Sequence, residues 1–258
     1  MGHGPSGPTL RLAVEALAPL PEVREGDDFG ALLAAATPPD LSDGDLLVVA
    51  HKVVSKSEGR VRRLTDVDPS PRAVELATPF GKDARAVQVV LDESAEVVRA
   101  ERGVIVSRTR HGLVCANAGV DASNAAHPDE LVLLPDDPDA SARAVRERLE
   151  ALRGVRPAVL VSDSFGRAWR LGQLDVAVGL AGLQPLDDWR DRSDARGRPL
   201  RATVSAVADA AAAAADLART KDSDEPAVLI RGLGRFVTVE HGPGAAALRR
   251  PTEEDLFM

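Results

Sequence analysis

Apolar positions recur along the chain in runs that predict strands. The densest run covers residues 46–54, where aliphatic and β-branched side chains follow the turn Ser42-Asp43-Gly44. Such a run after a turn predicts a buried strand. Further strands are predicted over residues 10–17, 97–99, 104–107, 114–116, 159–162 and 228–231.

In other segments, apolar residues recur every three or four positions, which is the spacing of amphipathic helices. The clearest lies over residues 139–153, because Val145, Leu149 and Leu152 fall on one helical face and Gly154 supplies a stop. Helices are also predicted over residues 28–35, 83–91 and 204–217. Strands and helices interleave irregularly and without an internal repeat, so the pattern predicts an α+β fold.

Composition narrows the class of protein. Of 258 residues, 44% are hydrophobic but only 3% are aromatic and none is Tyr, so the core must be mostly Ala, Val and Leu. A net charge of -8 argues against a nucleic-acid partner, since phosphate binding needs a basic face. The lone Cys115 excludes an internal disulfide and fits a cytoplasmic protein. No apolar run approaches the roughly 20 residues of a membrane span.

The chain begins with a segment rich in Gly and Pro. Residues 1–9 lack the apolar core of a signal peptide, and we expect them to form a flexible leader. The remaining residues 10–258 are long enough to bury a substantial core, and we expect them to form one domain.

Two short acidic motifs, each expected to lie in a loop next to an apolar strand, are the strongest candidates for chemistry. Asp121 precedes Ser123 and Asn124, and Asp163 stands between Ser162 and Ser164. Oxygen-only groups of this kind suit Mg2+ or Mn2+ better than zinc. The alternative is that these side chains only cap the turns in which they lie, which Asp and Ser commonly do.

Clusters of basic residues accompany the acidic motifs. Such cations could hold the phosphates of a metal-bound polyphosphate. The alternative is a solvated face with surface ion pairs, each worth about 0–1 kcal/mol. The clusters are His51, Lys52, Lys56, Arg60, Arg62 and Arg63; Arg108, Arg110 and His111; and Arg167 with Arg170. No P-loop, nucleophile elbow or zinc spacing is present, so an ordinary P-loop nucleotide site is excluded.

Several longer motifs, in the same order along residues 20–257, give the chain a resemblance to the coenzyme F420-0:L-glutamate ligases, also called F420-0 γ-glutamyl ligases. Beyond the two acidic motifs, they are Leu20-Pro-Glu-Val23, Gly44-Asp-Leu-Leu-Val-Val49, Lys52-Val-Val-Ser-Lys-Ser-Glu-Gly-Arg60, Gly172-Gln-Leu-Asp-Val-Ala-Val-Gly179 and Val228-Leu-Ile-Arg-Gly232.

The resemblance implies a reaction and a fold. The enzyme would phosphorylate the phospholactyl carboxylate of the deazaflavin F420-0 with GTP and Mg2+ or Mn2+, with K+ as a further cofactor. L-Glutamate would then displace phosphate, and later glutamates would be added through γ-linkages. The implied fold is the family's own α+β arrangement of mixed sheets with flanking helices, with two lobes forming a cleft in an intertwined homodimer. Residues 10–258 would form this ligase domain.

The resemblance also assigns site residues, position by position. Those implied to act in catalysis are Lys56, Asp121 and Asp163. Those implied to hold the metal are Asp121, Asp163 and Ser164. Those implied to bind the nucleotide are Leu20, Pro21, Glu22, Val23, His51, Lys56, Asn124, Arg219, Thr220 and Lys221.

The chain departs from the family's pattern at some of these positions. His51 stands where relatives carry Ser or Gln, and Arg219-Thr220 stands where many carry Gly-Gln. Two-domain actinobacterial relatives continue into a flavin-binding, nitroreductase-like domain, so this chain is either a stand-alone ligase or the N-terminal part of such a protein. The alternatives to the ligase are a GTP phosphohydrolase, a ligase for another carboxylate, and a non-catalytic F420-binding fragment.

Overall fold

A five-stranded sheet forms the centre of the computed structural model, which describes residues 11–220 and 222–255. The expected leader and Lys221 lie outside the described residues. The strand order is β1-β12-β2-β8-β9, in which only β2 and β8 run parallel. These strands are β1 (Ala13–Ala16), β2 (Leu46–Ala50), β8 (Ala158–Arg167), β9 (Arg170–Ala181) and β12 (Ala227–Arg231).

The central sheet is covered on both faces, which explains why β2, most of β12 and the first four residues of β8 are apolar. Leu47 and Val49 of β2 belong to a core shared with α1 (Phe29–Ala36) and α5 (Pro138–Arg153). Leu46 and Val48 point to the opposite face, where α6 (Val207–Ala218) packs. The buried side chains of α6 are mostly those of alanines, whose small size lets the helix pack closely against the sheet in a core with few aromatic residues. These alanines are Ala208, Ala211, Ala212 and Ala215.

The remaining elements form smaller sheets with their own apolar clusters. In one, β4 (Ser94–Glu101), β5 (Val104–Thr109) and β6 (Val114–Ala116) pair antiparallel. The helices α3 (Pro71–Ala77) and α4 (Ala84–Glu93) pack against this sheet. The two-stranded pairs are β3 (Val61–Arg63) with β7 (Glu130–Val132), and β10 (Leu186–Asp188) with β11 (Val204–Ala206).

The α+β class and the mixed sheets with flanking helices are confirmed. The helices predicted at residues 28–35 and 83–91 are present and begin where Asp28 and Asp83 accept hydrogen bonds as N-caps. The helix predicted at residues 139–153 ends at Gly154, whose φ of 68° is the left-handed conformation that glycine adopts readily. None of the described helices is both long and apolar enough to cross a membrane.

The strand predicted over residues 46–54 is wrong beyond Ala50. A helix, α2 (His51–Ser57), begins immediately, with His51, Val54 and Ser55 on its buried side. Over so few residues, the apolar run fits both the two-residue period of a strand and the 3.6-residue period of a helix. Burial of Val54 in the central core favours the helix. The helix predicted from residue 204 likewise begins only at Val207, after the short strand β11.

Two other expectations need correction. The motif around Asp163 is not in a loop, because β8 continues to Arg167 and pairs with β9 along its length. Leu152 does not share the buried face of Val145 and Leu149, since it is 45% exposed. The last turn of α5 is instead held by Arg153, whose guanidinium donates to carbonyl oxygens at the end of α1.

Candidate functional site

A cavity of about 620 Å3 lies where five separate segments meet. These segments are the loop after β1, the start of α2, the loop after β6, the β8–β9 pair and the loop after α6. The cavity is lined by every described residue assigned to the site by the resemblance: Leu20, Pro21, Glu22, Val23, His51, Lys56, Asp121, Asn124, Asp163, Ser164, Arg219 and Thr220.

The parallel pairing of β2 and β8 brings His51 and Asp163 together. Ala50 of β2 pairs with Ser162 of β8. The residues that follow them, His51 and Asp163, therefore lie at the same end of the two strands. His51 is almost fully buried, and its Nε2 lies 3.3 Å from Asp163 Oδ1. This separation is within ion-pair range, although the two atoms lack the alignment of a hydrogen bond. The other ring nitrogen, Nδ1, lies 3.3 Å from Ser55 Oγ.

Asp121 is held in place by a lysine that the sequence motifs assigned only to a basic cluster. Lys52 Nζ lies 2.7 Å from Asp121 Oδ2 and 2.5 Å from Ser123 Oγ. Ser123 also donates from its backbone nitrogen to Asp121 Oδ1 at 2.7 Å. Partial burial acts to raise the pKa of Asp121, but the hydrogen bonds from Lys52 and Ser123 outweigh it and lower that pKa. The carboxylate is therefore ionised and oriented near neutral pH.

Lys56 forms a second ion pair across the cavity wall. Its Nζ lies 2.6 Å from Glu22 Oε1, although the two residues are 34 positions apart in sequence. The lysine side chain is mostly buried, whereas the glutamate is largely exposed. An incoming anion can therefore displace Glu22 from this ammonium group.

Asp175 is the polar residue at the site that sequence analysis missed. It is 1% exposed on β9 and accepts hydrogen bonds from Ser162 Oγ at 2.8 Å and Ser164 Oγ at 2.6 Å. It also forms an ion pair with Arg219, which donates in turn to the Pro226 carbonyl. An isolated carboxylate inside the apolar run of β9 was the available signal.

Not all of the predicted cationic clusters reach the cavity. Arg108 pairs with Glu96, Arg110 donates to a backbone carbonyl, and His111 lies against carbonyls of residues 135 and 136. None of these three lines the cavity. Arg167 lies near the β8–β9 turn, where its guanidinium donates to the Leu171 carbonyl at 2.5 Å.

The two tryptophans do not line the cavity either. Trp169 is 81% exposed at the turn between β8 and β9. Trp189 is half-buried and stacks under the Arg192 guanidinium at 4.6 Å.

The oxygen donors at the cavity fit a nucleotide-bound metal ion. Within the described residues, no group of three or more His, Cys, Asp and Glu side chains could hold a metal by itself. Asp121, Asp163 and Ser164 together offer two carboxylates and one hydroxyl to the same space. Mg2+ commonly binds to one or two carboxylates and completes its shell with phosphates and water, so the chemistry of this donor set would suit Mg2+ carried by a nucleotide.

A smaller cavity of about 210 Å3 lies beside the first and shares Asp121, Asp163, Ser164 and Gln173 with it. Cys115 also lines it. Burial, together with the negative charge of Asp163, raises the pKa of the Cys115 thiol to about 12. The thiol is therefore protonated near neutral pH and is a poor nucleophile.

Comparison with known proteins gives a consistent result. A family model described as F420-0:gamma-glutamyl ligase matches residues 18–232. A Methanopyrus kandleri protein named coenzyme F420:L-glutamate ligase is 43% identical over 255 residues, covering 97% of this chain and 98% of the relative. Relatives with the same name occur in Methanothermobacter thermautotrophicus, at 44% identity over 92% of this chain and 95% of the relative, and in Haloarcula marismortui, at 42% over 95% of each. The chain belongs to the F420-0:gamma-glutamyl ligase family.

Proposed function

We propose that this protein joins L-glutamate to the phospholactyl carboxylate of coenzyme F420-0, with GTP as the energy source and Mg2+ or Mn2+ as cofactor. Further glutamates are then added through γ-linkages. One observation carries the proposal: a single cavity collects the acidic motifs and two lysines in a chain that is similar throughout to F420:L-glutamate ligases.

The chemistry explains why a nucleoside triphosphate is needed. A carboxylate is a poor electrophile, because an attacking amine would have to expel an oxide ion. In the first step, an acceptor carboxylate oxygen attacks the γ-phosphorus of GTP, and the bond to the β,γ-bridging oxygen breaks as GDP leaves with the electron pair. In the second step, the amine of glutamate attacks the acyl carbon, inorganic phosphate leaves, and the amine loses a proton to water.

The metal ion would be held by Asp121, Asp163 and Ser164. When bound with GTP, it would neutralise charge on the β- and γ-phosphates. Lys56 would bind a phosphate oxygen in exchange for Glu22, and Lys52 would keep Asp121 oriented. Phosphoryl transfer depends mainly on such positioning and charge neutralisation, which these side chains can supply without bonding covalently to the phosphoryl group themselves.

The nucleotide itself would lie along the remaining cavity wall. The loop from Leu20 to Val23 lines this wall, as do Asn124, His51 and Thr220. Arg219 already pairs with Asp175, so its part in nucleotide binding would be to hold the loop that follows α6. Lys221 belongs to the same proposed contact.

The oligomer is a separate part of the proposal. We propose an intertwined homodimer with a cleft between two lobes, as the family resemblance implies. Supporting it, the sheet formed by β4, β5 and β6 exposes the apolar side chains Val98, Val104 and Val114. Light scattering during size-exclusion chromatography tests this, and a monomeric mass at micromolar concentration would contradict it.

The decisive experiment is an end-point assay read by mass spectrometry. The protein is incubated with F420-0, L-glutamate, GTP, Mn2+ and K+, and parallel reactions replace GTP by ATP or omit the metal. We expect a ladder of glutamate additions that requires both GTP and metal. Phosphate release from GTP without any change in the F420-0 mass would instead identify a GTP phosphohydrolase. An unchanged F420-0 mass with intact GTP would contradict the ligase proposal.

A further inference from the structure

A second cavity, of about 940 Å3, adjoins the proposed nucleotide cavity. The two share Glu22, Val23, Lys56 and Ala125 as a common wall. The Lys56–Glu22 ion pair therefore stands at the junction between them. Lys56 lines both cavities, whereas Asp121 and Asp163 line only the smaller of the two, so a ligand in the larger cavity can contact the Lys56 ammonium without occupying the acidic motifs.

Two of the three arginines that line this cavity have exposed side chains available to a ligand. Arg24 and Arg62 both line it, and neither makes an ion pair within 4.0 Å in the part of the chain that the structure describes. The other lining arginine, Arg63, is satisfied by Glu130 at 3.2 Å. In a chain with 40 acidic and 32 basic residues, two such guanidinium groups in one cavity indicate a site for an anion.

The lining also contains groups that limit what the anion can be. Glu25 and Asp66 are present, so the cavity is not uniformly basic. Val23, Val61 and Val132 supply an apolar wall. A ligand with separated anionic groups on a larger, partly apolar body matches this lining better than a bare phosphate does.

We infer that the 940 Å3 cavity is the acceptor subsite, and that Arg24 and Arg62 bind the phosphodiester of the deazaflavin acceptor. The inference rests on the proposed function. The acceptor carboxylate that is to be phosphorylated reaches Lys56 at the junction and meets the γ-phosphate of GTP there. The cavity is far larger than free glutamate requires, and the oxygen donors for metal-bound GTP lie in the other cavity.

The test compares substrates in two single variants, Arg24→Gln and Arg62→Gln. Steady-state KM values are measured separately for F420-0, L-glutamate and GTP. We expect the KM for F420-0 to rise about tenfold in each variant, the effect of losing one charge-assisted hydrogen bond, with the KM for GTP and for glutamate unchanged. The matched control is Arg72→Gln, an exposed arginine on α3 that lines none of the three cavities, and it leaves all three values unchanged.

Direct binding makes the inference independent of turnover. Calorimetric titration of F420-0 into each protein without GTP compares the acceptor affinities, and thermal melting checks that each variant is folded. Equal F420-0 affinity in wild type and both variants would overturn the inference. So would a KM increase confined to GTP or to glutamate. Absence of ligation by the wild-type protein would contradict the proposed function instead, and the calorimetric comparison would still decide whether this cavity takes the acceptor.

Discussion

Individual charged side chains in the nucleotide cavity are held by specific neighbours. Lys52 fixes Asp121, His51 lies against Asp163, and Glu22 occupies Lys56. Each of the two lysines is thus already paired with a carboxylate. On the proposed function, a phosphate would replace Glu22 at Lys56 while Lys52 keeps Asp121 oriented, so the reorganisation of the site on binding would be small.

The carboxylate of Asp163 is the first residue to test. In Asp163→Asn, we expect metal-dependent turnover to fall by at least about a hundredfold, because a ligand to the charge-neutralising metal is lost and each 1.36 kcal/mol of barrier is about tenfold in rate. Mn2+ titration of turnover measures this. The control is Asp68→Asn, an exposed position away from the three cavities. Wild-type turnover and Mn2+ dependence in Asp163→Asn would refute the metal assignment.

The raised pKa of Cys115 predicts an unreactive thiol. With a pKa of about 12 against an ordinary value near 8.5, the thiolate fraction at pH 8 falls roughly a thousandfold or more. We expect labelling by a disulfide reagent to be slower by at least that factor in the folded protein than in urea. The rate should rise steeply with pH, because the thiolate is formed only as pH approaches that pKa. Rapid labelling of the folded protein at pH 8 would contradict the burial of this group.

At this scale, sequence motifs located the acidic residues but not their partners. Asp121, Ser123 and Asn124 are close in sequence, so a local pattern reveals them. Asp175 meets Ser162 and Ser164 only through the antiparallel pairing of β8 with β9, and meets Arg219 from yet another element. Contacts over such separations are not encoded in any short motif.

At the level of elements, the β8–β9 pair is what gives the site its geometry. Asp163 and Ser164 lie within a paired strand, so backbone hydrogen bonds fix their positions more firmly than a loop would. Helix α2 begins directly where β2 ends, which carries His51, Lys52 and Lys56 on one short rigid segment. A strand was predicted here because the run is rich in β-branched residues and is too short for its spacing to distinguish a strand from a helix.

The ion pair between Asp175 and Arg219 links β9 to the loop after α6. We expect Arg219→Met to lower the free energy of unfolding by about 3–5 kcal/mol, since it removes a guanidinium that pairs with a buried carboxylate. The double variant Arg219→Met with Asp175→Asn should recover much of this loss, because the remaining buried group is neutral. Urea denaturation measures both. A cost below about 1 kcal/mol in the single variant would show that water reaches Asp175.

At the level of the whole molecule, one buried arginine connects distant parts of the chain. Arg146 on α5 is 1% exposed and donates to the carbonyls of Pro157, Thr238 and Glu240. No carboxylate forms an ion pair with it among the described residues. Backbone carbonyls alone therefore satisfy this guanidinium and tie α5 to the segment after β12.

This arrangement predicts a large stability effect. In Arg146→Met, several carbonyl oxygens lose their donors, and we expect a loss of at least about 3 kcal/mol in the free energy of unfolding. The matched control is Arg143→Met, on the same helix as Arg146. The Arg143 guanidinium lies 3.5 Å from the exposed Asp137, and its removal should lower the free energy of unfolding by less than about 1 kcal/mol. Thermal and urea unfolding measure the difference. Similar costs for the two variants would contradict the proposed anchoring.

The sequence by itself determined the α+β class, most of the strands and helices, and the acidic motifs that line the candidate site, because hydrophobic period, capping residues and short motifs are local properties. Only the tertiary structure decided that Asp163 lies in a strand, that the cluster of Arg108, Arg110 and His111 stays away from the cavity, and that Asp175 and Arg219 form a buried pair. These outcomes depend on strand pairing and on burial between segments far apart in sequence, where packing and desolvation are settled by the whole fold.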